Sequence, residues 1–308
     1  MELKAFFYTQ MYKIRRVEET LLNLFSEGQL SGTTHTCIGQ EACAVGVINA
    51  IERDKDIVFS NHRAHGHYIA YCRELLGLFA ELMGREIGVS GGIGGSQHLY
   101  KRNFYTNGIQ GGIVPVATGM AFAEKVKKTD AITLVFMGDG TLGQGVVYES
   151  FNIASLWKLP IIFVVEANQY AQSTPTHLQH AGDIDRRAEP YNIKSASIDV
   201  TDVMKVHMLA KEIVELVRKD QIPFFLVLHT YRLAAHSKGD DLRSNEEIEI
   251  HRRQDPLIIL RKELSDGCID VTKMERDVDT EVARVLETVK NSPFMSTDEF
   301  CRHLGRHI

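Results

Sequence analysis

The chain has 308 residues, 44% of them hydrophobic, and a formal net charge of −5 at pH 7. That length and apolar content suffice for one large α/β domain or two small ones. The mild acidity excludes a basic nucleic-acid or membrane-surface binder, and no apolar run approaches a membrane span. Cys37, Cys43, Cys72, Cys268 and Cys301 follow no metal or redox spacing, so reduced thiols in a cytoplasmic protein are expected. The opening Met-Glu-Leu-Lys-Ala-Phe-Phe has neither a secretory core nor an Arg-rich transit pattern, which points to a bacterial source or a removed presequence.

Along the chain, residues 3–28 read as a long amphipathic helix with Phe6, Met11, Ile14, Val17, Leu21, Leu22 and Phe25 on its apolar face. A turn over 32–39 leads to a second helix over 40–51, and Ile57 to Ser60 is a short strand. The loop after it carries His62, Arg63, His65 and His67. Residues 91–96 form a glycine-rich loop expected to be flexible, and 108–115 form another that enters an Ala/Gly-rich helix ending near Lys127. Ile132 to Met137 is a buried strand, Gly138-Asp139-Gly140 a turn, Val147 to Leu156 a helix stopped at Pro160, and Ile161 to Val165 a second strand. A helix follows at about 202–219, then an apolar strand from Phe224 to Thr230. The segment 237–245 is polar and expected to be mobile, and helices broken near Gly267 and Pro293 complete the chain. No repeat or low-complexity linker appears, so 1–308 reads as a single domain with helical extensions at both ends.

The strand–turn–helix–strand unit carries the chemistry. A right-handed parallel crossover brings both strand ends to one edge of the sheet, placing Asp139 beside Asn168. A carboxylate and an amide oxygen are hard ligands suited to Mg²⁺, which keeps water and phosphate in its shell. The Gly140 and Thr141 amides open a helix there, where a phosphate is favoured. Arg232, just past the strand 224–230, matches such an anion electrostatically. The histidines flanking Arg63 also allow a zinc reading, but the guanidinium at their centre would repel the cation.

Gly138-Asp139-Gly140, with Asn168 at the corresponding spacing, resembles the thiamine diphosphate-binding motif. Around it, Tyr231-Arg232-Leu-Ala-Ala-His236-Ser237, Arg63-Ala-His65-Gly66, Gly94-Gly95-Ser96-Gln97-His98 and His35 with Gly39-Gln40-Glu41-Ala42 resemble, in order, alpha subunits of 2-oxo acid dehydrogenases of the pyruvate and acetoin type. The resemblance runs from about residue 8 to 265. It implies the α/β thiamine diphosphate-binding fold, a mostly parallel sheet covered by helices on both faces. It also implies Mg²⁺ on Asp139, Asn168 and the Tyr170 carbonyl. Cofactor contacts would come from His62, Arg63, Gly108, Gln110, Gly138, Asp139, Gly140, Thr141, Asn168, Arg232 and His236, with His236 and His65 as catalytic residues. For Glu41 helix capping and packing is the favoured role, while His35 stays open between packing and function.

By the same resemblance, the glutamate that activates the cofactor lies in a second domain, for which this chain has little room. A beta subunit, an α2β2 heterotetramer, a 2-oxo acid substrate and a lipoyl carrier or acyltransferase as acceptor follow as implied partners. Alternatives are half of a split transketolase-like enzyme, or a non-catalytic cofactor-binding regulatory subunit. The sequence departs from the family at three places. His62 stands where the family has tyrosine, Ala234 and Ala235 remove a second histidine, and the loop after His236 is short, with Asp240 and Asp241 where regulated relatives carry serines. The last departure argues against kinase control, and the second leaves the substrate open.

Overall fold

The central strands are short continuous apolar runs, buried on both faces as a parallel sheet between helix layers requires. The computed structural model describes every residue except Ser31, Lys238, Asp240 and 306–308, and the backbone alone at His303 and Leu304. In chain order it runs α1 (Glu2–Ser26), α2 (Glu41–Ile48), β1 (Ile57–Ser60), α3 (His65–Cys72), α4 (Leu76–Leu82), β2 (Tyr100–Lys101), β3 (Phe104–Thr106), α5 (Ile113–Lys127) and β4 (Thr133–Gly138). After a 3₁₀ turn (Asp139–Gly143) come α6 (Gly145–Leu156), β5 (Ile161–Ala167), the small hairpin β6 (Tyr170–Ala171) and β7 (Thr174–Pro175), β8 (Lys194–Asp199), α7 (Val203–Asp220) and β9 (Phe224–His229). Helices α8 (Asn245–Arg252), α9 (Pro256–Asp266), α10 (Val271–Lys290) and α11 (Thr297–Gly305) follow.

Seven strands pair in the order β2-β3-β1-β4-β5-β9-β8, parallel throughout except for the β2–β3 edge. This is the expected α/β architecture. Side chains alternate across the sheet. Val58, Leu134, Phe136, Ile162, Val164 and Leu226 face a large core roofed by α1, α2, α7 and α10, whereas Phe59, Val135, Phe163, Val165 and Phe225 face a smaller one under α5 and α6. Among the described residues no helix is long and apolar enough to cross a membrane.

Helix α1 buries Met11, Ile14, Val17 and Leu21 as expected, together with Phe7, whereas Phe6 and Phe25 are half-buried and Leu22 is exposed. The second helix ends at Ile48, short of the expected boundary. The edge strand β8 was not foreseen because Lys194 to Asp199 is largely exposed and poor in apolar residues. In the C-terminal region Asp255 and Asp270 cap α9 and α10, accepting from the backbone N–H groups of Leu257 and Lys273.

Two segments differ from expectation. The glycine loop 91–96 is held by the buried Glu81, whose carboxylate accepts from the amides of Ser90, Gly92, Gly94 and Gly95 at 2.6–3.1 Å. The described part of 237–245 is pinned by Arg243, whose guanidinium donates to Asp241 and to the carbonyls of Arg232 and Ala234. A polar sequence had suggested mobility, but buried partners far along the chain supply the order. Asp240 lies outside the described residues.

Arg15 of α1 joins Glu41 at the start of α2 to Asp255 at the cap of α9, with both carboxylates almost fully buried. Burial pushes the Glu41 carboxyl above its ordinary pKa, against the attraction of Arg15. Removing the cation strands two buried acids, so Arg15→Ala should lower stability by about 3–5 kcal/mol in urea unfolding. Arg102→Ala, which breaks an exposed pair with Asp54, should leave the midpoint nearly unchanged.

Candidate active site

The parallel register sets Gly138 of β4 opposite Glu166 of β5, and Ala167 of β5 opposite His229 of β9. The three strands therefore end on one edge, and the loops leaving them form a cavity of about 350 Å³. Its walls include Gly138, Asp139, Gly140 and Thr141 after β4, Asn168, Tyr170 and Gln172 after β5, and Arg232 and His236 after β9. His62 and Arg63 after β1, Gly108 and Gln110 before α5, and His35 before α2 complete it.

Asp139 and Asn168 are 2% and 6% exposed. The Asp139 carboxylate accepts from the Gly140 amide at 2.8 Å and the Thr176 hydroxyl at 2.9 Å, while its carbonyl accepts from His180 Nε2 at 2.8 Å. Burial nevertheless raises the Asp139 pKa above the ordinary carboxylate value. Asn168 Oδ1 accepts from the Tyr170 amide at 3.2 Å, closing the turn in which Gln169 adopts φ +72°. These are oxygen donors held by backbone, with the carboxylate in a position that a cation would relieve.

Above them, the loop after β9 is tied to the loop before α2. Leu233 donates its amide to the Ile38 carbonyl at 2.9 Å. Gly39 has φ +96°, and a Cβ there would stand 2.5 Å from the Tyr231 carbonyl oxygen, so the close approach requires glycine. Arg232 donates to the carbonyls of Ala234 and Gln172 at 3.1 and 2.8 Å, and Arg63 donates to the Thr36 carbonyl and to His236 Nδ1 at 3.2 Å. Both guanidiniums are buried and both line the cavity.

The histidines divide. His62 lines the cavity with both ring nitrogens buried and without a hydrogen-bond partner. Burial, together with the nearby Arg63, His35 and His236, pushes its pKa down to about 2. His65, expected to be catalytic, is fully buried and is not among the cavity-lining residues. Its Nδ1 meets Glu18 of α1 and its Nε2 meets the Ser96 hydroxyl, each at 3.0 Å, so it fastens the glycine loop to α1. His67 meets the Ser60 hydroxyl at 2.8 Å and packs on Phe136. The turn into α3 directs these two inward, which separates them from His62.

Three further residues of this neighbourhood stand outside the motifs that marked the site in the sequence. Glu166, a buried acid ending an apolar strand, lines the cavity with its Oε1 3.4 Å from His67 Nε2. Glu247 of α8 accepts from the hydroxyls of Tyr170 and Tyr231, both at 2.7 Å, and Arg243 lies over the same two rings. An acid closing an otherwise apolar strand is a usable signal for Glu166, whereas Glu247 sits in an unremarkable charged run.

The chain matches the family model described as "Dehydrogenase E1 component" over residues 9–297. It is 36% identical over 302 residues to the pyruvate dehydrogenase E1 component subunit alpha of Rickettsia felis, covering 95% of this chain and 92% of that protein. Identity to the subunit of the same name from Rhizobium meliloti is 38% over 292 residues, covering 92% and 83% of the two chains. The human testis-specific mitochondrial form is 35% identical over 309 residues, covering 98% of this chain and 79% of its own length.

Since the folded Asp139 carboxyl has a raised pKa, the folded chain binds its proton more tightly than the unfolded chain does. The ligand-free protein therefore loses stability as pH rises from the unfolded pKa through the folded one. Asp139→Asn removes that loss. Its melting temperature without ligands should exceed that of the parent at neutral pH and converge with it under acid conditions, as read by calorimetry.

Proposed function

Because the chain belongs to the dehydrogenase E1 component family, as an alpha subunit of a thiamine diphosphate-dependent decarboxylating 2-oxo acid dehydrogenase, we propose that it works with Mg²⁺ and a separate beta subunit in an α2β2 assembly. The observation that carries this reading is the pair of buried hard oxygen donors, Asp139 and Asn168, in one cavity with two buried arginines. That donor set fits a divalent ion and a diphosphate together. The partnerless nitrogens of His62 fit an anion acceptor in the same space.

On this reading Asp139, Asn168 and the Tyr170 carbonyl hold Mg²⁺. Arg63, Arg232, His62, Gly138 and the amides of Gly140 and Thr141 orient the two phosphates, and backbone atoms of Gly108 and Gln110 position the pyrimidine end. When bound, thiamine diphosphate supplies the electron sink for loss of carbon dioxide from the 2-oxo acid. His236, with Nδ1 held by Arg63, is placed to move a proton at the reacting end. His65 then acts by positioning the glycine loop. The acyl unit passes to an acceptor, of which a lipoyl group on a carrier protein is the proposed one.

The partner is supported by the surface over the smaller core. Val116, Phe122 and Val126 of α5 and Ile153 and Leu156 of α6 are exposed, and Phe122 packs on the exposed Trp157 with ring centroids 5.0 Å apart. Such exposed apolar residues, on two helices whose N-terminal ends follow the cavity-lining Gln110 and Gln144, suit a permanent subunit interface. A bacterial cytoplasmic setting accords with the bacterial relatives.

The chain co-expressed with its beta subunit should bind thiamine diphosphate only with Mg²⁺ and decarboxylate a 2-oxo acid. Turnover of ketose phosphates alone, or cofactor binding without any turnover, would overturn the proposal. Arg232→Ala, which removes a buried charge facing the phosphates, should weaken cofactor affinity by about 2–5 kcal/mol, with Arg232→Lys losing less, as measured by calorimetric titration.

A further inference from the structure

The zinc reading of the histidines around Arg63 fails because His65 and His67 turn into separate buried networks. A different set replaces it. His35 from the loop before α2, His62 from the loop after β1 and His236 from the loop after β9 each offer a ring nitrogen, and these atoms lie within 4.8 Å of one another. The ring centroids are 4.7, 4.4 and 5.4 Å apart. We infer that His35, His62 and His236 form a binding site for a divalent transition ion of the zinc class, separate from the oxygen pair Asp139 and Asn168.

Four observations bear on it. First, both nitrogens of His62 are buried without a hydrogen-bond partner, and a metal bond would relieve one of them. Second, all three rings line the same cavity, so one ion placed there can reach a nitrogen of each. Third, His35 Nδ1 pairs with the His236 carbonyl at 2.8 Å; since a carbonyl only accepts, Nδ1 carries a proton and is not the ligating atom. That is the outer-shell bond that ligating histidines use to fix tautomer and orientation. Fourth, imidazole suits zinc, cobalt, nickel and copper, whereas the Asp139 and Asn168 oxygens suit magnesium, so the two sets sort ions by chemistry.

Opposing this is Arg63, whose guanidinium lies 3.2 Å from His236 Nδ1. Occupancy requires that contact to be given up, although the Thr36 carbonyl still holds the arginine. Asp139 and Glu166 line the same cavity. Metal–nitrogen bonds of ~2.0–2.1 Å place tetrahedral donors about 3.3 Å apart, so the rings must close inward through side-chain rotation. Three protein ligands leave a fourth position open toward the cavity, the arrangement of an accessible rather than a closed structural site. An ion there occupies the cavity and competes with its other ligands.

The test uses the full chain and Co²⁺, and it does not depend on the proposed reaction. Titration should produce visible d–d bands of tetrahedral intensity, saturating at one ion per chain, reversed by Zn²⁺ and unaffected by excess Mg²⁺. Both His62→Tyr and His35→Gln, each shown to be folded by circular dichroism, should lose the bands. A second readout is the affinity of the chain in complex with its beta subunit for thiamine diphosphate with Mg²⁺; saturating Zn²⁺ should weaken it at least tenfold in the parent but not in His62→Tyr. Absence of the bands, their persistence in both variants, displacement by Mg²⁺ or unchanged cofactor affinity under Zn²⁺ would each overturn the inference.

Discussion

The parallel ladder of β4, β5 and β9 is the constraint on which the site depends. Its register brings the ends of three strands, far apart in sequence, to one edge of the sheet. The turns leaving that edge then deliver a carboxylate, an amide and a guanidinium into one small space. No single loop carries the chemistry. A register shift would move every strand end relative to its neighbours and reverse which side chains face each core.

Around that edge, order comes from buried charges that bind backbone. Glu81 gathers three amides of the glycine loop and that of Ser90 before it, and Arg243 gathers two carbonyls of the loop after β9. Glu18 takes the Cys37 amide on one oxygen and His65 on the other. Burial works to raise the Glu18 pKa, but the His65 charge and hydrogen bond, with the Cys37 amide, bring it below the ordinary value. In each case an ionised side chain satisfies polar backbone that the fold has removed from water. The loops after β9 and before α2, which line the cavity, are thereby tied to buried partners, which lowers the ordering entropy that opposes binding.

The two faces of the sheet are treated differently. One lies under a thick layer in which α1 and α10 pack over the core, with Arg15 tying α1 to α2 and α9. The other is covered by α5 and α6, which turn apolar residues outward as well as inward. Helices α5 and α6 start just after the cavity-lining Gln110 and Gln144, so a partner seated on their N-terminal ends would be adjacent to the cavity.

The element types, the crossover and the cofactor motif were legible because they are local. Apolar runs become buried strands, Gly138-Asp139-Gly140 makes a turn, and the residue types at Asp139, Asn168, Arg63 and Arg232 name their chemistry. What could not be read were pairings between distant positions. His62 and His65 stand three positions apart in one polar loop, yet one faces the cavity and the other is locked between α1 and the glycine loop. Glu81 and Arg243 looked like ordinary surface charges beside flexible segments. Only tertiary packing decides which side of a turn is buried, because a side chain's partner depends on the whole path of the chain and not on its neighbours in sequence.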